Sequence, residues 1–250
     1  MSILKLQKAV QAAGFDSRRK IRELIREGKF KVNGKVVKDP NFPIDPRKDS
    51  VRLRNKELKI EIENISYFIF NKPYGVISTL HDPQGRPTIK NYIAKIKERV
   101  YPVGRLDYQS DGLILLSNDG ELTNFIISPR NMVPKQYRVK IKGVLKEAEI
   151  TRLITKGLFV EGIRIKPLNI RFIRKTAGDN SWYNITILEG KKHIIRNMFK
   201  YFGHPVEKLT RTAIGTIRLG KLPPGHWREL TEEEISQFKK EYRFYPHSES

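Results

Sequence analysis

The chain has 250 residues and carries 49 Lys and Arg against 27 Asp and Glu, a formal net charge of +22 at pH 7. A basic excess of that size points to a polyanionic partner, while a hydrophobic fraction of 38 % with 12 Phe, 10 Tyr and 2 Trp excludes a disordered basic tail. With no cysteine, disulfide scaffolds, thiolate zinc sites and cysteine nucleophiles are excluded. The longest purely aliphatic run, Leu113 to Leu116, is far short of the roughly 20 residues of a membrane span. Lys5 and Lys8 interrupt the apolar N-terminal stretch, so no secretory signal is read there and a cytosolic protein is expected.

Two short helices open the chain. Leu6, Ala9, Val10 and Ala13 recur at helical spacing and stop at Gly14; Ser17 then reads as the N-cap of a second helix packed through Ile21, Leu24 and Ile25 and closed by Gly28. Phe30 to Val32, Asn33-Gly34 and Val36-Val37 read as a hairpin, because Asn-Gly suits the positive φ angles of a type I′ turn. The second helix exposes Arg18, Arg19, Lys20, Arg22 and Arg26, which taken alone is either a solvated face or a phosphate grip. The order helix, Gly-Lys, strand, Asn-Gly, strand, led by Ser17-Arg-Arg-Lys20, resembles the RNA-binding domain of the ribosomal protein S-four type over residues 3 to about 50. Such a domain grips folded RNA through its phosphates, and the resemblance implies that role for the five cations.

From about residue 64 strands and helices alternate. Tyr67 to Asn71, Val76 to Thr79, Leu113 to Ser117, Tyr137 to Lys142, Ile163 to Arg174 and Trp182 to Leu188 read as strands; Thr88 to Ile96, Glu121 to Ile127, Glu147 to Thr155 and Lys192 to Tyr201 read as helices. The expectation is an α+β protein: a small αα-hairpin-β domain over residues 1–60, then a mainly antiparallel mixed-sheet domain over 61–250, with a loose tail after Arg243.

Two chemical motifs fail on inspection. Gly215, Gly220 and Lys221 have phosphate-loop spacing, but Leu222 stands where Ser or Thr must reach magnesium, and Pro223-Pro224 forbid the following helix. Asp107, Asp111 and Gly112 lack the calcium-loop partners at Gln109 and Asn118. The five histidines show no paired metal spacing and default to surface or structural roles. Asp107 remains, on a loop just before a strongly apolar strand: it caps a turn, or it is a reachable catalytic group mounted on buried structure.

Gly104-Arg-Leu-Asp107, with Ser110, Gly112-Leu113 and Asn118-Asp-Gly120, resembles the active-site signature of the RsuA/RluB family of ribosomal RNA pseudouridine synthases. Asn71-Lys72-Pro73, Asp82 to Thr88, Lys135-Gln-Tyr137, Glu189 to Met198 and Leu209 to Gly215 resemble the family's other motifs in order. Ile194 and Asn197 depart from it, standing where Gln and Arg are common. The resemblance implies isomerisation of uridine to pseudouridine without cofactor or metal, with Asp107 as the essential nucleophile or acid–base group, Arg196 pairing with it, and Tyr137 against the uracil face opposite Leu209. It implies that Arg105 fills the stack vacated by a flipped uridine or clamps a phosphate, and that Arg211 and Lys72 also belong to the substrate site, Lys72-Pro73 reading as a scaffold turn at the cleft edge ahead of a catalytic pair.

The expected substrate is a single uridine, or very few, in a 23S rRNA stem-loop, modified by a monomer; 16S rRNA and a noncatalytic ribosome-assembly role are the alternatives. An unrelated glycosyl-cleaving enzyme would need a second carboxylate opposite Asp107, and none has an obvious place there.

Overall fold

The computed structural model describes residues 3–54, 56–60, 64–160, 162–176, 178–191 and 193–245. The chain divides into two compact units, residues 1–65 and 66–249. In the first, β1 (Leu4–Lys5) leads into α1 (Leu6–Ala12) and α2 (Arg18–Arg26), followed by β2 (Phe30–Val32), β3 (Lys35–Val37), β4 (Pro43–Ile44), β5 (Val51–Leu53) and β6 (Lys56–Leu58). The Ser17 hydroxyl accepts from the Lys20 N–H and caps α2. Asn33 and Gly34 take φ of 49° and 82°, the left-handed pair that closes the β2–β3 hairpin. Leu6, Val10, Ile21, Ile25, Phe30 and Val51 are buried together, which leaves the cationic side of α2 outside.

The second unit runs β7 (Tyr67–Lys72), α3 (Lys90–Ile93), β8 (Tyr101–Val103), β9 (Asp111–Ser117), α4 (Gly120–Ile127), β10 (Lys135–Ile141), α5 (Glu147–Thr155), β11 (Leu158–Val160), β12 (Ile163–Ile165), β13 (Asn169–Lys175), β14 (Ser181–Ile187), α6 (Ile194–Tyr201), β15 (Val206–Ile214), β16 (Ile217–Arg218), β17 (Trp227–Glu229) and α7 (Glu232–Glu241). The main sheet has the order β13-β14-β10-β15-β9-β7-β17, with β8 on β9 and β16 on β15. Its strand pairs are antiparallel except β15 with β9, which run parallel and touch only at Thr210–Asp111 and Arg211–Gly112. The fold is α+β and mainly antiparallel.

Two apolar clusters cover the sheet. The larger joins Phe68, Phe70, Ile114 and Leu116 to Tyr137, Val139, Tyr183 and Ile185, under Leu153 of α5 and Met198 and Phe199 of α6. The smaller takes the alternate residues of the same two strands, Ile69, Leu113 and Leu115, together with Leu122 and Ile126 of α4 and Phe238 of α7.

Several elements differ from expectation. Val76 to Thr79 makes one bridge, Ile77 to Thr88, in place of a strand, and the helix expected over Thr88 to Ile96 is confined to α3. The strand expected over Ile163 to Arg174 is broken at Pro167, which lacks an N–H for a ladder; its first part pairs back on β11 and its second on β14. Central β15 and terminal α7 add to the predicted set, and α7 carries a Thr231/Glu234 capping box. Phe244, expected in a loose tail, is buried against Phe125 at 5.1 Å between ring centroids; residues 246–250 lie outside the described ones.

The β9–β15 joint depends on Gly112, whose φ is +103° and where a Cβ would run into the Arg211 carbonyl oxygen. Gly112→Ala is expected to cost about 1–3 kcal/mol from backbone conformation alone and more from the clash, lowering the urea midpoint of this unit. A midpoint within error of the parent would refute the joint.

Candidate active site

β9 and β15 part after two residue pairs, and a cleft of about 450 Å³ lies where they separate. Both apolar clusters supply its walls: Tyr137, Ile194 and Leu209 from the larger, Ile126 and Ile214 from the smaller. Tyr137 and Arg211 are register partners on β10 and β15, so they stand side by side in it. Asp107 and Arg105 approach from the loop before β9; Asp107 is partly buried, and Arg105 is exposed without an ion pair or hydrogen bond among the described residues.

The loop that carries Asp107 is pinned through its backbone. The Ser78 hydroxyl accepts from the Leu106 N–H and donates to the Leu106 carbonyl, at 3.0 and 2.8 Å. The Gly75 N–H donates to the Tyr108 carbonyl and the Ser110 N–H to the Asp107 carbonyl. Arg196, held on α6, donates from Nη2 to the Gln109 carbonyl and from Nη1 to the Val206 carbonyl. The side chain of Asp107 carries none of these bonds, so its position is set while its carboxylate remains open to a ligand.

These contacts correct two expectations. Arg196 does not pair with Asp107: its Nη1 and Nη2 go to two carbonyls, and the basic side chain within 4 Å of Asp107 among the described residues is His193, with Nε2 at 3.7 Å from Oδ1. Lys72 does not reach the cleft. It is fully buried, and its ammonium donates to the carbonyls of Pro73 and Val76, both at 2.8 Å. Asp107, Arg105, Tyr137, Leu209 and Arg211 do line the cleft.

Ser110, Lys135 and His193 line it as well, beyond the residues singled out in the sequence. Lys135 was visible only as the start of a motif. His193 takes a left-handed φ of 55° at the start of α6, a turn that local sequence does not announce.

Polar groups are left over in the cleft. Ser110 Oγ and Arg211 Nη2 are buried without a hydrogen-bond partner, although Arg211 Nε donates to the Leu113 carbonyl at 2.7 Å. Lys135 is buried with Nζ against the carbonyls of Ile126 and Leu188 at 3.2 and 3.3 Å. Burial, assisted by repulsion from Arg211, brings the Lys135 ammonium down to about 8. Burial likewise brings Lys72 to about 8, against the pull of Asp111 and Asp107. Unpartnered buried donors are costly in a folded protein, and their presence here marks the place where a polar ligand would complete them.

In the first unit the five cations of α2 are all exposed. Arg18, Arg19, Arg22 and Arg26 line one shallow depression with Glu23 and Glu27, while Lys20 is tied to Glu23 at 3.0 Å. Arg18 and Arg22 are steadied by the side-chain oxygens of Gln11 and Gln7 on α1.

Residues 66–201 match the RNA pseudouridylate synthase family and residues 4–50 match the S4 domain. The chain is 42 % identical to an uncharacterized RNA pseudouridine synthase of Aquifex aeolicus (strain VF5), over 96 % of this chain and 95 % of that protein. It is 38 % identical to ribosomal large subunit pseudouridine synthase B of Bacillus subtilis (strain 168), over 94 % and 95 %. A crystal structure of a pseudouridylate synthase aligns with a TM-score of 0.64 at 29 % identity, covering 94 % of this chain and 99 % of that one. With its S4 domain and its parted sheet around an aspartate loop, the chain belongs to the RNA pseudouridine synthase family. Among the described residues no helix is long and apolar enough to cross a membrane.

The lysine shifts set a pH dependence. Between pH 8 and 10 the folded chain releases protons from Lys72 and Lys135, while the unfolded chain, with ordinary lysines near 10.4, keeps them. The unfolded state then binds more protons, so stability rises with pH across this window. The urea midpoint is expected to climb from pH 8 towards 10, and less steeply in Lys135→Met; equal slopes for the two proteins would contradict the buried-lysine account.

Proposed function

We propose that the chain converts a uridine of ribosomal RNA, in the large subunit, to pseudouridine, with residues 61–250 performing the chemistry and residues 1–60 holding the RNA. The observation that carries the reading is an aspartate held by its backbone at the mouth of a cleft whose walls are Tyr137 and Leu209. The large-subunit assignment is supported by the name of the Bacillus subtilis relative at 38 % identity.

In the reaction the bond between ribose C1′ and uracil N1 breaks, the base turns, and C5 bonds to C1′; the proton lost from C5 is balanced by one gained at N1, so no reductant or energy source is consumed. Asp107 acts as the nucleophile at the ribose or as the acid–base group at the uracil. Tyr137 and Leu209 hold the base by its faces, which leaves it free to turn in its own plane. The unpartnered donors on Ser110 and Arg211 meet the uracil carbonyls, and Arg105 enters the stack that the flipped uridine vacates. Arg196 acts at one remove, through the Gln109 carbonyl, as a positioning residue. Lys72 braces the turn after β7 through the Pro73 and Val76 carbonyls and does not touch substrate. Arg18, Arg19, Lys20, Arg22 and Arg26 contact phosphates, which orients a stem-loop without reading its sequence.

Asp107→Asn is expected to lower pseudouridine formation by at least about 10²-fold while leaving RNA binding intact. Tyr137→Phe should keep much of the activity and Tyr137→Ala little, because the ring supplies the contact; equal, severe loss in both would make the hydroxyl the working group. Mapping pseudouridine chemically after incubation with separate protein-free 16S and 23S transcripts should place the modification in 23S at one or very few positions. Modification confined to 16S would overturn the large-subunit assignment, and none in either would overturn the activity.

A further inference from the structure

One half of the sheet has a face that neither apolar cluster covers. The smaller cluster runs over β7 and β9 and reaches β15 at Ala213's neighbour Ile214, but takes no residue from β10, β14 or β13. Residues on these three strands that alternate with the larger cluster's Tyr137, Val139, Tyr183 and Ile185 therefore look outward.

Strand register places them in rows. Arg171, Asn184, Arg138 and Thr210 stand in line across β13, β14, β10 and β15; one pleat further, Arg174, Trp182, Lys140 and Lys208 form the next line. Five of these eight residues are cations and none is a carboxylate. Lys140 is engaged by Glu207 at 2.8 Å and Lys208 by Asp111 at 3.8 Å. Arg138, Arg171 and Arg174 are exposed and have no ion pair or hydrogen bond among the described residues.

An ordinary solvated sheet face pairs charges of both signs, whereas here Glu207 and Asp111 answer only two of the five cations and leave three arginines without a counter-charge among the described residues. Arg171 and Arg174 are rooted one pleat apart on β13, a rise of about 6.8 Å, and Arg138 stands across β14 from Arg171 at two strand separations of about 4.8 Å each, spacings on which an RNA backbone can set its phosphates. Asn184 and Thr210 add neutral groups able to hydrogen-bond phosphate or ribose oxygens. The partly exposed Trp182 offers a stacking surface for an unpaired base.

We propose that this uncovered face, centred on Arg138, Arg171 and Arg174, is a second RNA-binding surface that engages a segment of the substrate RNA outside the stem-loop entering the cleft. The proposal rests on the reading that RNA is the substrate. The contact belongs to long RNA, since Arg138 points away from the side of β10 that carries Tyr137, and a minimal stem-loop filling the cleft would leave the face empty.

The test compares the full-length protein with its Arg138→Ser/Arg171→Ser/Arg174→Ser variant on a 23S transcript and on a short stem-loop containing the modified uridine, measuring binding by anisotropy and pseudouridine formation by mapping. On the long transcript the variant is expected to bind roughly tenfold more weakly and to lose about one unit of salt slope for each contact removed, with kcat at saturating RNA unchanged. On the short stem-loop the two proteins should agree. The Arg138→Lys/Arg171→Lys/Arg174→Lys variant, which keeps the charge, should recover most of the binding.

Unchanged affinity and salt slope on the long transcript would overturn the proposal. So would poly-glutamate binding that responds to the serine substitutions while RNA binding does not, an outcome that would assign the face to an acidic protein. If the parent protein makes no pseudouridine at all, the activity reading fails, yet the anisotropy comparison still decides for or against the surface.

Discussion

The active site depends on a brief meeting of two strands. β9 and β15 hold together at two residue pairs, and Gly112 permits this because its missing Cβ leaves room for the Arg211 backbone. Longer pairing would close the sheet and leave no cleft; weaker pairing would let the halves drift and separate the Asp107 loop, which precedes β9, from Leu209 on β15 and Tyr137 on β10 beyond it. The one parallel contact in the main sheet thus divides it without dismantling it. It also puts Arg211 at the base of the gap, where its Nε is spent on the Leu113 carbonyl and its Nη2 is still free.

Electrostatics in the unit follow from what is buried around that joint. Lys72 and Lys135 have left water for backbone carbonyls, an exchange that satisfies their protons but gives their charge poor solvation. Both stand close to the reacting region, Lys135 in the cleft wall and Lys72 at the turn after β7, so the site has a positive interior even before RNA arrives. His193 adds an imidazole to the cleft lining, with Nε2 3.7 Å from Asp107 Oδ1.

Elements with local signals were legible in the sequence. Gly14 and Ser17 mark the boundary between α1 and α2, Asn33-Gly34 marks a hairpin, and the apolar run of β9 follows its polar loop; each depends on a few neighbouring residues. Asp107 was visible for the same reason. β15 was hidden because an arginine occupies an inward position, so its alternation does not read as apolar and polar; only the cleft accounts for Arg211 there. Lys72 was misplaced because a lysine is ordinarily at the surface, and nothing nearby in sequence tells that two carbonyls wait for it inside. The pairing expected between Asp107 and Arg196 failed for a related reason: the resemblance supplied a partner, but the reach of the guanidinium is decided by where α6 sits relative to Gln109 and Val206.

The tethers of the Asp107 loop all end on main-chain atoms: both groups of Leu106, and the carbonyls of Asp107, Tyr108 and Gln109. Apart from the Ser110 N–H, which closes the turn on the Asp107 carbonyl, the path of the loop is written in Ser78, Gly75 and Arg196, outside the loop itself. Arg105, Tyr108 and Gln109 stand exposed along it; the Tyr108 ring rests against Tyr74, while no tether uses the side chains of Arg105 and Gln109. Substitution at Arg105 or Gln109 therefore leaves every tether in place, so the outward chemistry of the loop can drift with the gene while its backbone path is inherited unchanged.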